Sequence, residues 1–310
     1  MSDGTAELLV RHDTEYEYSS QVAVAQHLAY LQPIEAPGQE VSDFRLEITP
    51  APGRLNHGRD VFGNHRAHFS LTRPHRALLV RMQSRVRLTP RFARLDLAQS
   101  TPWETVRDDL RYVAGAPFRE ASEFTFDSPY VPRDPLLREY AQASFPAGAG
   151  VLAGAFDLMR RVHRDFRYEA GSTDVTTTVL EAFAARAGVC QDFSHVMIGC
   201  LRSLGLAARY VSGYLHTQPR FAPRPDGPGG SAPARAAVPV IGADASHAWV
   251  AVHCPRTGWV EFDPTNDAIP GTGHVRLAIG RDYGDVAPLR GVVQGGGDHQ
   301  LRVAVSLTAV

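Results

Sequence analysis

The stretch Arg186–Tyr214, RAGVCQDFSHVMIGCLRSLGLAARYVSGY, holds two of the chain's three cysteines. Cys190 follows Gly188-Val189 and opens CQDFSHVMIGCLRSLG, which reads as a central helix closed by Gly205. AARYVSGYL then reads as a strand. A thiol at the start of a helix can be a nucleophile, a metal ligand or a piece of core. Residues further along the chain decide between these readings.

Two downstream segments bear on it. ASHAWVAV places His247 at the start of a strand, and GWVEFDPTND places Asp263 at the end of the next one. Thiol chemistry on amides needs a thiolate, a base that forms it and a group that fixes the tautomer of the base. The N–H groups and dipole at a helix start favour an anion and offer donors to an oxyanion. Pro255-Arg256-Thr257-Gly258 joins the two strands as a hairpin, and its turn length can be tested by parity. A turn over Pro255–Thr257 pairs Cys254 with Gly258, Trp249 with Asp263 and His247 with Thr265. His247 and Asp263 then share a face as diagonal neighbours, roughly 7–8 Å apart at Cα. A turn one residue shorter or longer would put them on opposite faces.

Outside this region the chain divides by pattern. Residues 1–95 carry short alternating runs, ELLVRHDTEYEYSS, DFRLEITPAP and ALLVRMQSRVRLTP, separated by Pro and Gly clusters. They predict a β-sandwich-like or curved-sheet N-terminal domain. Residues 96–139 read as a connecting segment, with a helix beginning at Pro102-Trp103-Glu104 and Thr101 as its cap. Leu152, Phe156, Met159, Val162 and Phe166 recur at helical spacing, and TTTVLEAFAARAG predicts a helix ending at Gly188. Residues 140–285 form the predicted core. Within it, residues 216–243 are rich in Pro, Gly, Ala and Arg and read as a long loop. Residues 286–310 end in HQLRVAVSLTAV, a strand expected to pack back on the N-terminal domain.

Composition excludes several classes. The 310 residues are 44% hydrophobic, enough for a large core, and the net charge of -1 offers no broad basic surface to nucleic acid. No run of about eighteen apolar residues suggests a membrane span. None of the 32 basic residues is a lysine, so any reaction that joins a lysine amine must take it from another molecule. Cys190 and Cys200 would lie about 15 Å apart along one helix, too far for a disulfide. MSDGTAELLVRHDTEYEY shows no secretory pattern. The expectation is a cytoplasmic protein with reduced thiols.

The chain resembles the bacterial transglutaminase-like proteins of the papain-like cysteine peptidase superfamily. GVCQDFSH, GLAARYVSGY, ASHAWVAV and GWVEFDPTN carry the resemblance in that order, and HDTEYEY, VFGNH and RPH extend it to the N-terminal part. The tail RDYGDVAPLRGVVQGGGDHQLRVAV is similar to the ending of such proteins. The resemblance implies an α+β fold with a papain-like core, a central helix on an antiparallel sheet. It implies Cys190 as nucleophile, His247 as general base, Asp263 as orienting carboxylate, and a thioester acyl-enzyme. It implies no metal, no cofactor and no nucleotide. The partner would be a peptide or protein substrate with an amide or glutamine acyl group. Peptidase- or amidase-type hydrolysis is the favoured outcome. Acyl transfer to an amine, including within a peptide-modifying pathway, and a binding module that keeps the fold stay open.

Other residues have a bland reading beside a sharp one. Cys200 and Cys254 are expected in the core, and His195 as a hydrogen-bonded helix residue. Asp192 suits the first helical turn with or without a role in chemistry. Gln191 is a candidate oxyanion donor through its backbone N–H. Trp249 would shield the His–Asp pair or simply fill core. Tyr168 and Tyr214 would line a cleft or, more often for such residues, simply be strand aromatics; Asp244 would contact substrate, and the 216–243 loop, if it borders the cleft, would set access. A zinc site built on Cys190, His247 and Asp263 lacks the close paired spacings that such sites show.

Overall fold

The computed structural model describes residues 4–92, 95–170, 177–216, 220–221, 237–238 and 246–310. Strand β1 (Ala6–Ala29) is 24 residues long. It is followed by β2 (Gln39–Thr49), β3 (Arg54–Arg59), β4 (His65–Leu71) and β5 (His75–Leu88). Buried residues alternate along them: Leu8 and Val10, Phe69 and Leu71, Val80 and Met82. That is the pattern of a sheet with one face on a core. The first half of β1 pairs with β5, and its last residues pair with β4. A register shift between Glu17 and Val22 bends it between the two. The β-sandwich-like expectation thus takes the form of one curled seven-stranded sheet, which two strands from the end of the chain complete.

Helix α1 (Trp103–Leu110) buries Trp103, Val106 and Leu110. Thr101 is not its cap; Pro102 holds that position without a side-chain bond. Helix α2 (Pro135–Gln142) starts where Asp134 accepts a hydrogen bond from the Leu136 N–H at 2.8 Å. Helix α3 (Val151–Asp165) buries Leu152, Met159 and Val162 of the face predicted from spacing, while Phe156 is half-buried and Phe166 caps the helix end. Strand β6 (Arg167–Tyr168) leads to helix α4 (Val179–Ala185), opened by a capping box between Thr178 and Glu181. Helix α4 ends at Arg186 rather than Gly188. Arg186 takes φ 51°, and its guanidinium lies over the rings of Phe183, Tyr140 and Phe166 at 4.0, 4.7 and 4.9 Å. Those cation–π contacts favour a conformation that a side chain otherwise avoids. Strand β7 (Ala187–Gly188) then pairs parallel with β6.

Helix α5 (Cys190–Ser203) is buried from Asp192 to Arg202. Strand β8 (Ala208–Leu215) follows, then the short pair β9 (Arg220–Phe221) and β10 (Ala237–Val238), and then β11 (His247–Cys254), β12 (Gly258–Phe262) and β13 (His274–Gly280). The core sheet is antiparallel in the order β12-β11-β8-β13, and α5 packs on β11 and β8. At the far end of α5, fully buried Arg202 donates to the carbonyls of Phe124, Ala208 and Arg281 and to the Ser128 hydroxyl. Helix α6 (Tyr283–Val286), β14 (Leu289–Gly295) and β15 (His299–Ala309) close the chain, and β14 and β15 both run antiparallel to β1. No helix among the described residues is long and apolar enough to cross a membrane.

Strand β13 ends the core sheet, and its outer backbone groups need partners. Two amides of the N-terminal part supply them. Gln39 accepts from the Arg276 N–H at 2.8 Å and donates to its carbonyl at 2.7 Å. Asn64 does the same for Ile279, at 2.8 and 2.7 Å. Next to this seam His12 is buried, with Nδ1 2.8 Å from the Tyr214 hydroxyl and Nε2 2.9 Å from the Thr14 hydroxyl.

Burial pushes His12 and His27 down to about 4 and His195 to about 3, from an ordinary 6.5. These imidazoles stay neutral in the fold and take protons once it opens. Their contribution is complete above about pH 6.5 and is lost as pH falls toward 4, on the order of 3 kcal/mol for His12. Urea midpoints should therefore fall between pH 7.5 and 4.5, and by less in His12→Gln. A flat profile would contradict this.

Candidate active site

The hairpin that carries the site has the turn length that parity requires. Cys254 pairs with Gly258 and Val250 with Phe262, leaving Pro255–Thr257 as the turn. His247 is the first residue of β11, and Asp263 comes directly after β12. Their side chains meet, with His247 Nε2 2.8 Å from Asp263 Oδ2. Opposite His247 on β8 is Gly213. A Cβ there would run into the Trp249 ring and the Val275 carbonyl, so the close approach of strand and indole needs a glycine.

Asp263 is fully buried and well paired. Its Oδ2 accepts from His247 Nε2, from Asn266 Nδ2 at 2.9 Å and from His274 Nε2 at 3.2 Å. Its Oδ1 accepts from the N–H groups of Thr265 and Asn266 at 3.0 and 3.2 Å. Burial alone would raise the carboxyl pKa. The charge and hydrogen bond of His247, with those of His274, hold it far below the usual carboxylate range. Burial alone would likewise push His247 down, but Asp263 and then Cys190 outweigh it and raise the imidazole above its ordinary value. Nδ1 of His247 is buried without a formed hydrogen bond. With Nε2 committed to Asp263, Nδ1 is the nitrogen available to Cys190.

Cys190 is the first residue of α5 and is half-buried, whereas Cys200 and Cys254 are buried. Burial pushes the Cys200 thiol up to about 12. The start of α5 is fixed by Asp192, whose Oδ2 accepts from the Val189 N–H at 2.8 Å. Gly188 makes room for that carboxylate, since a Cβ there would meet Asp192 at 2.5–2.8 Å. Gln191 is half-buried in the same turn. The first turn of a helix has N–H groups without intrahelical acceptors, and here they lie beside the thiol.

The remaining candidates separate. Tyr168 is 37% exposed, and burial and then the charge of Cys190 raise its pKa. Trp249 is fully buried, with its ring 5.9 Å from that of His247. Tyr214 is fully buried and bonded to His12 at the seam with the N-terminal sheet. A strand aromatic and a cleft aromatic look alike in sequence, and His12 decides the difference. Asp244 and most of the 216–243 loop lie outside the described residues.

Sequence reasoning missed His274, Asn266 and Tyr210. Asn266 follows Asp263 by one turn of chain, in DPTN, and its Nδ2 is 3.3 Å from His247 Nε2. Tyr210 lies under α5, its ring 5.2 Å from His195, and burial followed by Cys190 holds its hydroxyl well above the ordinary value. His195 accepts from the Tyr283 N–H at 3.2 Å, the structural role expected of it. Nothing in the sequence linked His274, on a different strand, to Asp263. Among the described residues, the donor atoms of His247, Asp263 and His274 lie within 4.8 Å of one another, a spacing that could hold a metal ion.

Comparisons agree with this architecture. Residues 8–87 match the bacterial transglutaminase-like N-terminal region, and residues 141–264 match the transglutaminase-like superfamily. A Mycobacterium tuberculosis protein described only as uncharacterised is 39% identical over 296 residues, covering 94% of this chain and 88% of its own. An uncharacterised Mycobacterium leprae protein is 31% identical over 302 residues, covering 96% and 97%. A crystal structure from Cytophaga hutchinsonii, provisionally described as a cysteine protease, superposes with a TM-score of 0.71 at 20% identity. It covers 99% of this chain and 91% of its own, and it shows the shared fold.

Behind the site, buried Glu261 accepts from Trp249 Nε1 at 3.1 Å and pairs with Arg91 and Arg276. Glu261→Ala would strand these cations and release the indole that backs His247. We expect a loss of about 3–5 kcal/mol in urea unfolding. A change within about 0.5 kcal/mol, as at ordinary surface sites, would contradict the role given to Glu261.

Proposed function

The chain belongs to the bacterial transglutaminase-like proteins, and from that premise we propose that it performs cysteine-dependent chemistry on amide bonds, with hydrolysis as the outcome. The observation that supports the reading is an imidazole held by a buried carboxylate and raised in part by the charge of Cys190, the thiol that opens α5. Nε2–H of His247 donates to Asp263, so Nδ1 is the nitrogen left to exchange a proton with the thiol. His247 takes the proton of Cys190, and the sulfur attacks the carbonyl carbon of an amide. The carbonyl electrons move onto oxygen, where backbone N–H groups of the first helical turn, including that of Gln191, receive the oxyanion. As the intermediate collapses, His247 returns the proton to the leaving amine and a thioester remains on Cys190. Water activated by the same imidazole releases the acid and restores the thiol.

The substrate is a peptide or protein carrying an amide or glutamine acyl group. Tyr168, partly exposed on β6, is a candidate for contact with it. Three unpaired cysteines suit a reducing cytoplasm.

The test is a panel of peptide amides and glutamine peptides, with and without an added primary amine, followed by mass spectrometry. The reading expects free acid as the main product. Cys190→Ala should abolish it, and His247→Ala or Asp263→Asn should lower the rate by about 10²–10⁴-fold. Turnover by Cys190→Ala at the wild-type rate would sink the proposal. Amine adducts in place of acid would assign acyl transfer. A folded wild type with no product across the panel would favour a binding role.

A further inference from the structure

The third group on Asp263 has no part in that reaction. His274 comes from β13, on the far side of the core sheet, and aims Nε2 at the same oxygen that His247 uses. Two imidazole nitrogens and one carboxylate oxygen thus converge, all buried. Oδ2 is 2.8 Å from one nitrogen and 3.2 Å from the other. A tetrahedral zinc-class ion bound at about 2.0–2.1 Å holds neighbouring ligand atoms about 3.3 Å apart. Each nitrogen–oxygen spacing is within about half an ångström of that value, and the two nitrogens, within 4.8 Å of each other, would close toward it on binding.

The surroundings suit an ion as well. Asp263 Oδ1 is fixed by two backbone N–H groups, which orient the carboxylate from behind. His274 and Asn266 line a recess of about 600 Å³ together with Glu7, His216 and Thr272. This recess gives an ion a way in and a water for the fourth position. Nitrogen and oxygen donors in this ratio suit zinc and its neighbours over magnesium or calcium.

We propose that His247, Asp263 and His274 form an inhibitory site for a divalent transition metal of the zinc class, an off-switch rather than a cofactor. The inference rests on the catalytic reading only for its consequence. A metal at His247 Nε2 takes the place of the proton given to Asp263, and that proton passes to Nδ1, so the metal-bound ring stays neutral with its one proton there. That nitrogen then has no lone pair for the Cys190 thiol. Apart from that proton shift only metal–ligand bonds are made, and a chelator reverses the state.

Direct binding separates this proposal from the catalytic one. Full-length Cys190→Ser protein, stripped with chelator, is titrated with Co²⁺ and Zn²⁺ by calorimetry and visible absorption. The site predicts one ion per chain with tetrahedral cobalt bands. His274→Gln should weaken binding by at least about tenfold, and Asp263→Asn should do the same. In protein that keeps Cys190, Zn²⁺ should slow alkylation of that thiol in wild type and not in His274→Gln. No binding to Cys190→Ser, binding unchanged by both ligand variants, or amide chemistry that rises with added metal would each overturn the proposal. Loss of amide activity across the substrate panel with intact cobalt binding would remove the catalytic reading and leave the site standing.

Discussion

The structure around the site depends on one buried carboxylate. Asp263 has no contact with water and accepts five hydrogen bonds, from His247, His274, the Asn266 amide and two backbone N–H groups. A buried carboxylate stays ionised only where such partners replace its hydration. In return it sets the orientation of His247, the protonated nitrogen of that ring and the path of the chain after β12. The isolated bridge between Asp263 and Ala268 fixes the same turn through the backbone.

Asp263 can do this because its neighbours are rigid. The three-residue turn sets the parity of β11 and β12, and Gly213 lets β8 and Trp249 approach closely. Glu261 holds Trp249 through its indole N–H, and Arg91 ties Glu261 to the segment leaving the N-terminal sheet. The amides of Gln39 and Asn64 complete the exposed edge of β13, the strand that brings His274. Helix α5 is clamped at one end by Asp192 and at the other by Arg202, which holds the helix start that carries Cys190. The N-terminal sheet is thus part of the support of the site as well as a neighbour to it.

Much of this arrangement was legible in the sequence where chemistry and periodicity coincide. Cys190 after a glycine at a helix start, and His247 and Asp263 at the ends of a hairpin with an odd turn, could be placed by counting. The end of α4 could not. Propensity favours Gly188 as the stop, but three aromatic rings that converge only in the fold draw Arg186 into the left-handed region. The partner of Tyr214 could not be read for a similar reason, since His12 lies 202 residues away. His274 and Glu261 were invisible because buried polar partners on different strands leave no spacing to read. The membership in the transglutaminase-like proteins was carried by ordered motifs, which specify a fold more sharply than a substrate.

The central claim is that Cys190 is activated by His247, and the most direct measurement is alkylation by iodoacetamide followed by intact mass, on wild type and His247→Ala. The account predicts that Cys190 is labelled first and alone, since Cys200 and Cys254 are buried. Exposure by itself would give that order, so the variant decides. His247→Ala should slow labelling of Cys190 while the protein stays folded. Labelling of Cys190 at the same rate in both proteins, or no faster than Cys200 and Cys254, would contradict the account.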